Sequence, residues 1–375
     1  MEQQLPSRIF ILFAVSIFYT GLASNPALAN KRGMRSIVPE IMARAVDDVI
    51  RPGYHRFHTA TVELRDTMAA LCADPGSFTL EAARAEFSAT VIAWSRIEMV
   101  RSGPVTAFNR HERVLFYPDP RGTALRQLQM MFADPENFPR DLLELQQKSV
   151  AVQGLSALEY ALFGTGSNAL AGGKDSSETA NDRCRYGALV AANMEAIASE
   201  LHESWSDSDG IAKLWMTPGQ DNPVLQHNRE ALVALLEIAA HGLETITDVR
   251  LKAFLRQTPD QDKPKLALLW RSENTFAAAT AYLESLRTVF EDSGMTLALP
   301  DDAKQTGYKI SAGFNEVIAL ARTFDAPVAD VLNDPESRAR LVELRVRLTD
   351  LKNLLSDDYG KAVGLTAGFF FADGD

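Results

Sequence analysis

The sequence predicts an all-α protein built as two similar helical bundles, and three observations carry that reading. Apolar residues recur at steps of three and four almost throughout, while the strict alternation of a half-buried strand is nearly absent. Turn formers such as Pro52-Gly53, Asp74-Pro75-Gly76, Asp301-Asp302 and Asp334-Pro335 punctuate the pattern at helix-length intervals. A small, polar, glycine-rich stretch after Gly164, TGSNALAGGKDSSETAND, divides two runs of five predicted helices each.

The chain opens with Arg8 and an apolar run from Ile9 to Ala23, followed by Ala27-Leu28-Ala29, small residues at the two positions a signal peptidase reads. Residues 1–29 are therefore expected to be a cleaved signal peptide, with periplasmic export and a mature chain beginning near Asn30. The run is shorter than the ~20 apolar residues of a spanning helix, and no transmembrane segment is expected after it. What remains is long enough for two domains of ~100–200 residues. Removing the leader takes away one Glu and one Arg, so the net charge stays at −11. Nucleic acid is an unfavourable partner for that balance, because phosphate binding needs a basic face. Cations are compatible with it. The two cysteines, Cys72 and Cys184, admit either a disulfide or two buried thiols; in an exported chain the bridge is expected, and it would join the two halves.

The N-terminal bundle, 30–164, is expected to hold helices near 36–51, 54–73, 79–101, 123–132 and 138–163, with Thr79 as an N-cap. Between the third and fourth lies SGPVTAFNRHERVLFYPDPRG, too rich in proline and turn formers for a helix and long enough to suggest a functional loop. The flexible linker is placed at 165–180 and the C-terminal bundle at 181–375, with helices near 181–205, 223–257, 265–292, 308–324 and 336–356. Ser311-Ala312-Gly313-Phe314 is echoed by Thr366-Ala367-Gly368-Phe369.

The chemistry points to one carboxylate. From Ser149 through Gly164 the only charged side chain is Glu159, set in a helix whose Leu155, Leu158 and Leu162 form a continuous apolar face. A buried carboxylate must protonate, pair with a cation or ligate a metal. Arg110, Arg113 and Arg121 of the long loop, or Arg271 in Leu269-Trp270-Arg271-Ser272, could supply the cation. Glu98, in the apolar run Ala93–Val100, is a second enclosed carboxylate. Facing Glu159 it would make a metal pair, whereas a structural salt bridge to Arg96 or to a loop arginine is the plainer reading.

Other signals are weaker. HExxH is absent, and His111-Glu112-Arg113-Val114-Leu115 lacks the second histidine of a zinc helix. His55 and His58 could share a metal, although a solvated face is the preferred reading. Glu230, Glu237, His241, Glu244 and Asp248 line one side of their helix and read as a surface stripe rather than a cation site.

Gly154-Leu155-Ser156-Ala157-Leu158-Glu159, continuing through Tyr160 and Leu162-Phe163-Gly164, resembles the Gly-x-His-x-x-Glu signature of the imelysin-like proteins. Trp94 to Glu98 with Gly103-Pro104, the Asn109–Gly122 loop with Tyr117-Pro118-Asp119-Pro120, Arg183-Cys184, Trp270-Arg271-Ser272, Ser311 to Asn315 and the Gly-Phe…Asp-Gly-Asp ending extend the likeness over the mature chain. The resemblance implies two similar helical bundles, an exported bacterial protein associated with iron uptake, and a site at the glutamate motif between the halves. It implies iron or another divalent cation as cofactor, and a metal ion, a small ligand or other iron-uptake components as partners. Members have been classed as metallopeptidases and as metal-binding or iron-regulated proteins. Here the motif histidine is Ser156, a poor ligand beside imidazole. The expected function is therefore non-enzymatic binding of a metal, a metal complex or a partner at the cleft, with no catalytic residue assigned. Gly154, Ser156, Glu159, Glu98, Arg110, Arg113, Arg121 and Arg271 are the expected binding residues, and Glu159 and Glu98 the expected metal ligands. A metal-dependent endopeptidase and a structural protein with a degenerate site are the alternatives.

Overall fold

The computed structural model describes residues 36–134, 138–172 and 178–365. The expected leader with its cleavage point, part of the linker, and the Thr366–Phe369 echo with the chain ending lie outside the described residues. Among the described residues every regular element is helical.

Helix α1 runs over 36–73 and contains a π-turn at Ala45–Ile50. Phe57, Thr61, Leu64, Met68 and Leu71 recur on its buried face at steps of three and four. Pro52-Gly53 does not break it, contrary to expectation. Pro52 sits at the start of the regular turn that follows the π-turn, where the chain tolerates a missing N–H. Gly53 serves packing instead, since a Cβ there would lie 2.6 Å from Ile97 Cδ1.

α2 spans Ser77–Ser95, shorter than the expected 79–101, and the chain turns before Glu98. The long loop holds a 3₁₀ segment at Gly103–Asn109 and the short α3, Arg110–Val114. α4 is Thr123–Ala133 and α5 Leu142–Gln147. The helix expected over 138–163 is divided: a 3₁₀ turn at Val150–Val152 and extended Gly154 separate α5 from α6, Leu155–Phe163. Gly154 is the cause. Its α-carbon is pressed against the 113–114 backbone, where a Cβ would stand 2.2 Å from the Val114 carbonyl oxygen.

α7, Glu178–Ser206, is followed by α8, Ile211–Met216. Sequence reasoning gave α7 to the C-terminal bundle, but it packs along α1 and against α5 and α6. The two long helices are antiparallel. Arg51 Nε donates to the Trp205 carbonyl at 2.8 Å near one end, and the Cys72–Cys184 disulfide ties the other with Cα atoms 5.6 Å apart. The bridge therefore forms as expected but lies within the first helix group rather than between the halves. Of the glycine-rich stretch, Ser167–Ala171 forms a 3₁₀ turn and α7 begins at Glu178; composition could not reveal on which side that helix would pack.

The second group contains α9 (Asn228–Glu244), α10 (Thr275–Glu291), α11 (Lys304–Ala321), α12 (Val328–Asn333) and α13 (Pro335–Asn353). π-turns extend α9 at Thr245–Leu251 and α13 at Leu354–Tyr359. The helix expected from 265 begins only at Thr275, because Leu269 and Glu273 take left-handed φ values of 54° and 60° in the loop before it. Phe254, Tyr282, Phe290, Phe314 and Tyr359 fill this group's core, as Tyr54, Phe57, Phe87, Trp94 and Trp205 fill the first. The groups meet where α10 lies against α2. There Asn274 donates to Ser88 Oγ at 3.0 Å, and Arg96 pairs with Glu284 at 3.2 Å.

Candidate functional site

Helix α6 is buried on nearly all sides because its sequence leaves no face for water: Leu155, Ala157, Leu158, Ala161 and Leu162 are all within the core. Glu159 is only 3% exposed. Its partners come from the second group's loop. The Arg271 and Ser272 backbone N–H groups each donate to Oε1 at 3.0 Å, and the Ser272 hydroxyl donates to it at 2.9 Å. Arg271 Nη1 stands 3.8 Å from Oε2. The carboxylate thus caps a loop that contains two left-handed residues, Leu269 and Glu273, each costing about 1–2 kcal/mol, which these hydrogen bonds help to offset. Burial pushes the Glu159 carboxyl above its ordinary range, and the Ser272 and Arg271 donors oppose that shift without cancelling it.

Of the expected cations, only Arg271 reaches Glu159. Arg110 instead pairs with Glu200 at 2.7 Å and donates to the Pro104 carbonyl at 3.0 Å. Arg113 donates to Gln153 Oε1 at 2.9 Å and Asn193 Oδ1 at 2.8 Å, fixing the turn that precedes Gly154. Arg121 is exposed. Sequence reasoning does not reach the side-chain acceptors Glu200, Gln153 and Asn193, because they lie 40 and more residues from the arginines they hold.

Glu98 and Glu159 do not form the expected pair. The partner of Glu98 is Arg250, a buried arginine from the α9 π-turn that also lies over the Tyr282 ring at 4.6 Å. Arg101 adds a distant contact at 3.9 Å. This is the structural salt bridge anticipated for Glu98, made by a residue that sequence reasoning did not name. A lone arginine between Val249 and Leu251 was the available signal. His111 packs against Trp94 with ring centroids 5.4 Å apart, and burial holds its pKa below the ordinary value. The acidic stripe of α9 is used locally: Glu230 accepts from the Gln226 and His227 backbone at 2.7 and 3.3 Å, and Glu244 sits 3.2 Å from His241.

Ser156, Glu159, Tyr160, Trp270 and Arg271 border a cleft of about 550 Å³. One wall comes from Phe116–Pro120 and α4, the other from the α9 π-turn and the 265–271 loop. Leu125, Leu128, Leu266, Leu268 and Leu269 make it mainly apolar. Four cations line it, Lys252, Arg256, Lys265 and Arg271. The Arg271 guanidinium lies over Trp270 at 4.4 Å, and Lys265 Nζ lies 5.8 Å from the same ring. The acids are already engaged. Asp119 accepts from the Thr123 and Ala124 N–H groups at 2.8 Å each, capping α4, and Asp248 lies 4.0 Å from Lys252.

This donor set does not suit a bare metal ion. Glu159 Oε1 already takes three hydrogen bonds and Oε2 faces a guanidinium, while the Ser156 hydroxyl donates to the Phe116 carbonyl at 3.4 Å. Among the described residues no group of three His, Cys, Asp or Glu side chains is arranged to hold a metal. No helix among them is long and apolar enough to cross a membrane.

Comparison with known proteins supplies the lineage. An imelysin-like protein from Psychrobacter arcticum 273-4 superposes with a TM-score of 0.71 at 18% identity, covering 89% of this chain and 98% of its own. A protein described as an iron-regulated protein A precursor, from Parabacteroides distasonis ATCC 8503, gives 0.68 at 15% identity, covering 86% and 95%. At these identities the likeness speaks for the fold. No curated protein matches the sequence. The imelysin family model matches residues 50–355, most of the chain, and on that match the chain belongs to the imelysin family.

Proposed function

We propose that this is an exported, periplasmic binding protein serving iron acquisition, and that its cleft takes a small anionic ligand with an apolar body, such as a metal chelate, rather than a naked cation. One observation carries the reading: a largely apolar cavity of about 550 Å³ sets four cations against three carboxylates, two of them paired with Lys252 and Arg271 and the third capping a helix. That volume lies in the range of small-molecule sites, which combine apolar walls with a few placed polar groups. Arg271 is the expected anion anchor. Its guanidinium is oriented by Trp270 and Glu159 yet stays partly exposed. The endopeptidase alternative needs metal ligands or a nucleophile with its base, and among the described residues bordering the cleft there is neither histidine nor cysteine.

Titration with ferric citrate as probe, followed by calorimetry and tryptophan fluorescence, tests the proposal. Saturable binding should weaken at least about tenfold in Arg271→Ala, the loss of one charge-assisted hydrogen bond being worth about 1.5–3 kcal/mol. Ferric citrate binding that is absent from the wild type, or unchanged in Arg271→Ala, would remove the cleft from consideration.

A further inference from the structure

We propose that α1 and α7 carry a second site, separate from the cleft, that binds a divalent first-row transition metal through His55, His58 and His202, with Glu195 as the supporting carboxylate. His55 and His58 lie one turn apart on α1. The antiparallel packing brings His202 of α7 between them, with its ring centroid 5.1 Å from that of His55 and 5.5 Å from that of His58. In a four-coordinate site with metal–nitrogen bonds of about 2.0–2.1 Å, ring centroids stand about 5 Å apart. Two of the three ring pairs, each including His202, therefore already stand at ligating separation.

Neighbouring polar groups fit one choice of ligating nitrogen on two of the rings. Glu195 Oε1 lies 3.5 Å from His58 Nε2 and can accept its proton, leaving Nδ1 as the lone pair. The Ser206 hydroxyl lies 3.4 Å from His202 Nδ1, and in the tautomer where Nδ1–H donates to it the Nε2 lone pair is left for the metal. Glu195 is itself steadied by Arg65 Nη1 at 3.4 Å. A carboxylate behind a ligating imidazole raises its basicity and fixes its ring. Three neutral nitrogen ligands with room for water select zinc, copper or nickel over magnesium or calcium.

With the side chains as they stand, no three such donors among the described residues are arranged around a metal. In this proposal the three rings converge on the ion by rotation of side chains at a partly exposed helix surface, a motion of picoseconds to nanoseconds. The Cys72–Cys184 bridge fixes the α1–α7 register 17 residues from His55, or about 25 Å along the helix.

The test uses tag-free, chelator-treated mature protein titrated with Zn²⁺ by calorimetry at neutral pH, with Co²⁺ absorption as a second readout. Expected are one bound ion, visible bands of a low-coordinate Co²⁺ site, affinity at least about tenfold weaker in His202→Gln and in His55→Gln, and about tenfold weaker in Glu195→Gln. Arg271→Ala should bind Zn²⁺ like the wild type. No stoichiometric Zn²⁺ binding, or binding that survives His202→Gln unchanged, overturns the proposal. Binding that is lost in Glu159→Gln but kept in His202→Gln places the ion at the cleft and overturns it equally.

Discussion

Replacing Glu159 by alanine should destabilise the protein by about 2–4 kcal/mol. The carboxylate holds three donors, but the Ser272 hydroxyl has a second acceptor in the Leu269 carbonyl at 3.2 Å, so truncation orphans chiefly the Arg271 and Ser272 backbone N–H groups. Each buried unsatisfied donor costs about 1–3 kcal/mol. The loop also loses the clamp on its left-handed Leu269 and Glu273. Relief of the buried carboxylate's desolvation offsets part of this. Glu159→Gln keeps an acceptor oxygen for the same donors and should lose about 1 kcal/mol, the size of an ordinary net hydrogen bond. Urea denaturation at pH 7, followed by tryptophan fluorescence and far-UV circular dichroism, gives both values from midpoints at constant slope. The pH dependence has a defined sign. Because burial raises the folded-state pKa of Glu159, its stabilising contribution is fullest below the unfolded carboxyl pKa and declines as pH rises through the folded one. The wild type should therefore gain on Glu159→Gln as the pH is lowered. An alanine variant as stable as the wild type, or a wild-type advantage that shrinks on acidification, would refute this account of the loop.

Two further outcomes follow from the same packing. Arg250→Met leaves Glu98 charged and buried and should cost about 3–5 kcal/mol in urea denaturation, whereas Glu98→Leu/Arg250→Met should recover most of that loss. Reduction of Cys72–Cys184, or the double serine variant, opens a loop of 112 residues and should lower stability by about 4–5 kcal/mol on the chain-entropy model, measured by thermal and urea unfolding with and without reductant.

Local signals were read well where they are self-contained. Periodicity gave the helices, since a buried stripe at steps of three and four is written in consecutive residues such as Phe57, Thr61, Leu64, Met68 and Leu71. The isolation of Glu159 in an apolar run identified it as a carboxylate in need of partners. Errors arose where a distant backbone intervenes. Gly154 divides a predicted helix because residues 113–114 press against it, and Trp270-Arg271-Ser272 leaves the helical pattern because Glu159 captures its N–H groups.

The sequence by itself determined the helical class, the burial of Glu159 and of Glu98, a short set of arginines that could serve Glu159, and the family to which the chain belongs; the structure chose Arg271 from that set. Only the tertiary structure decided that α7 joins the first group, that Arg250 rather than Glu159 meets Glu98, and that His202 comes to rest between His55 and His58. Helix formation depends on neighbours a few residues away, so it can be read along the chain. Partner choice depends on which surfaces of 20-residue rods come into register, and that is set by the packing of the whole core.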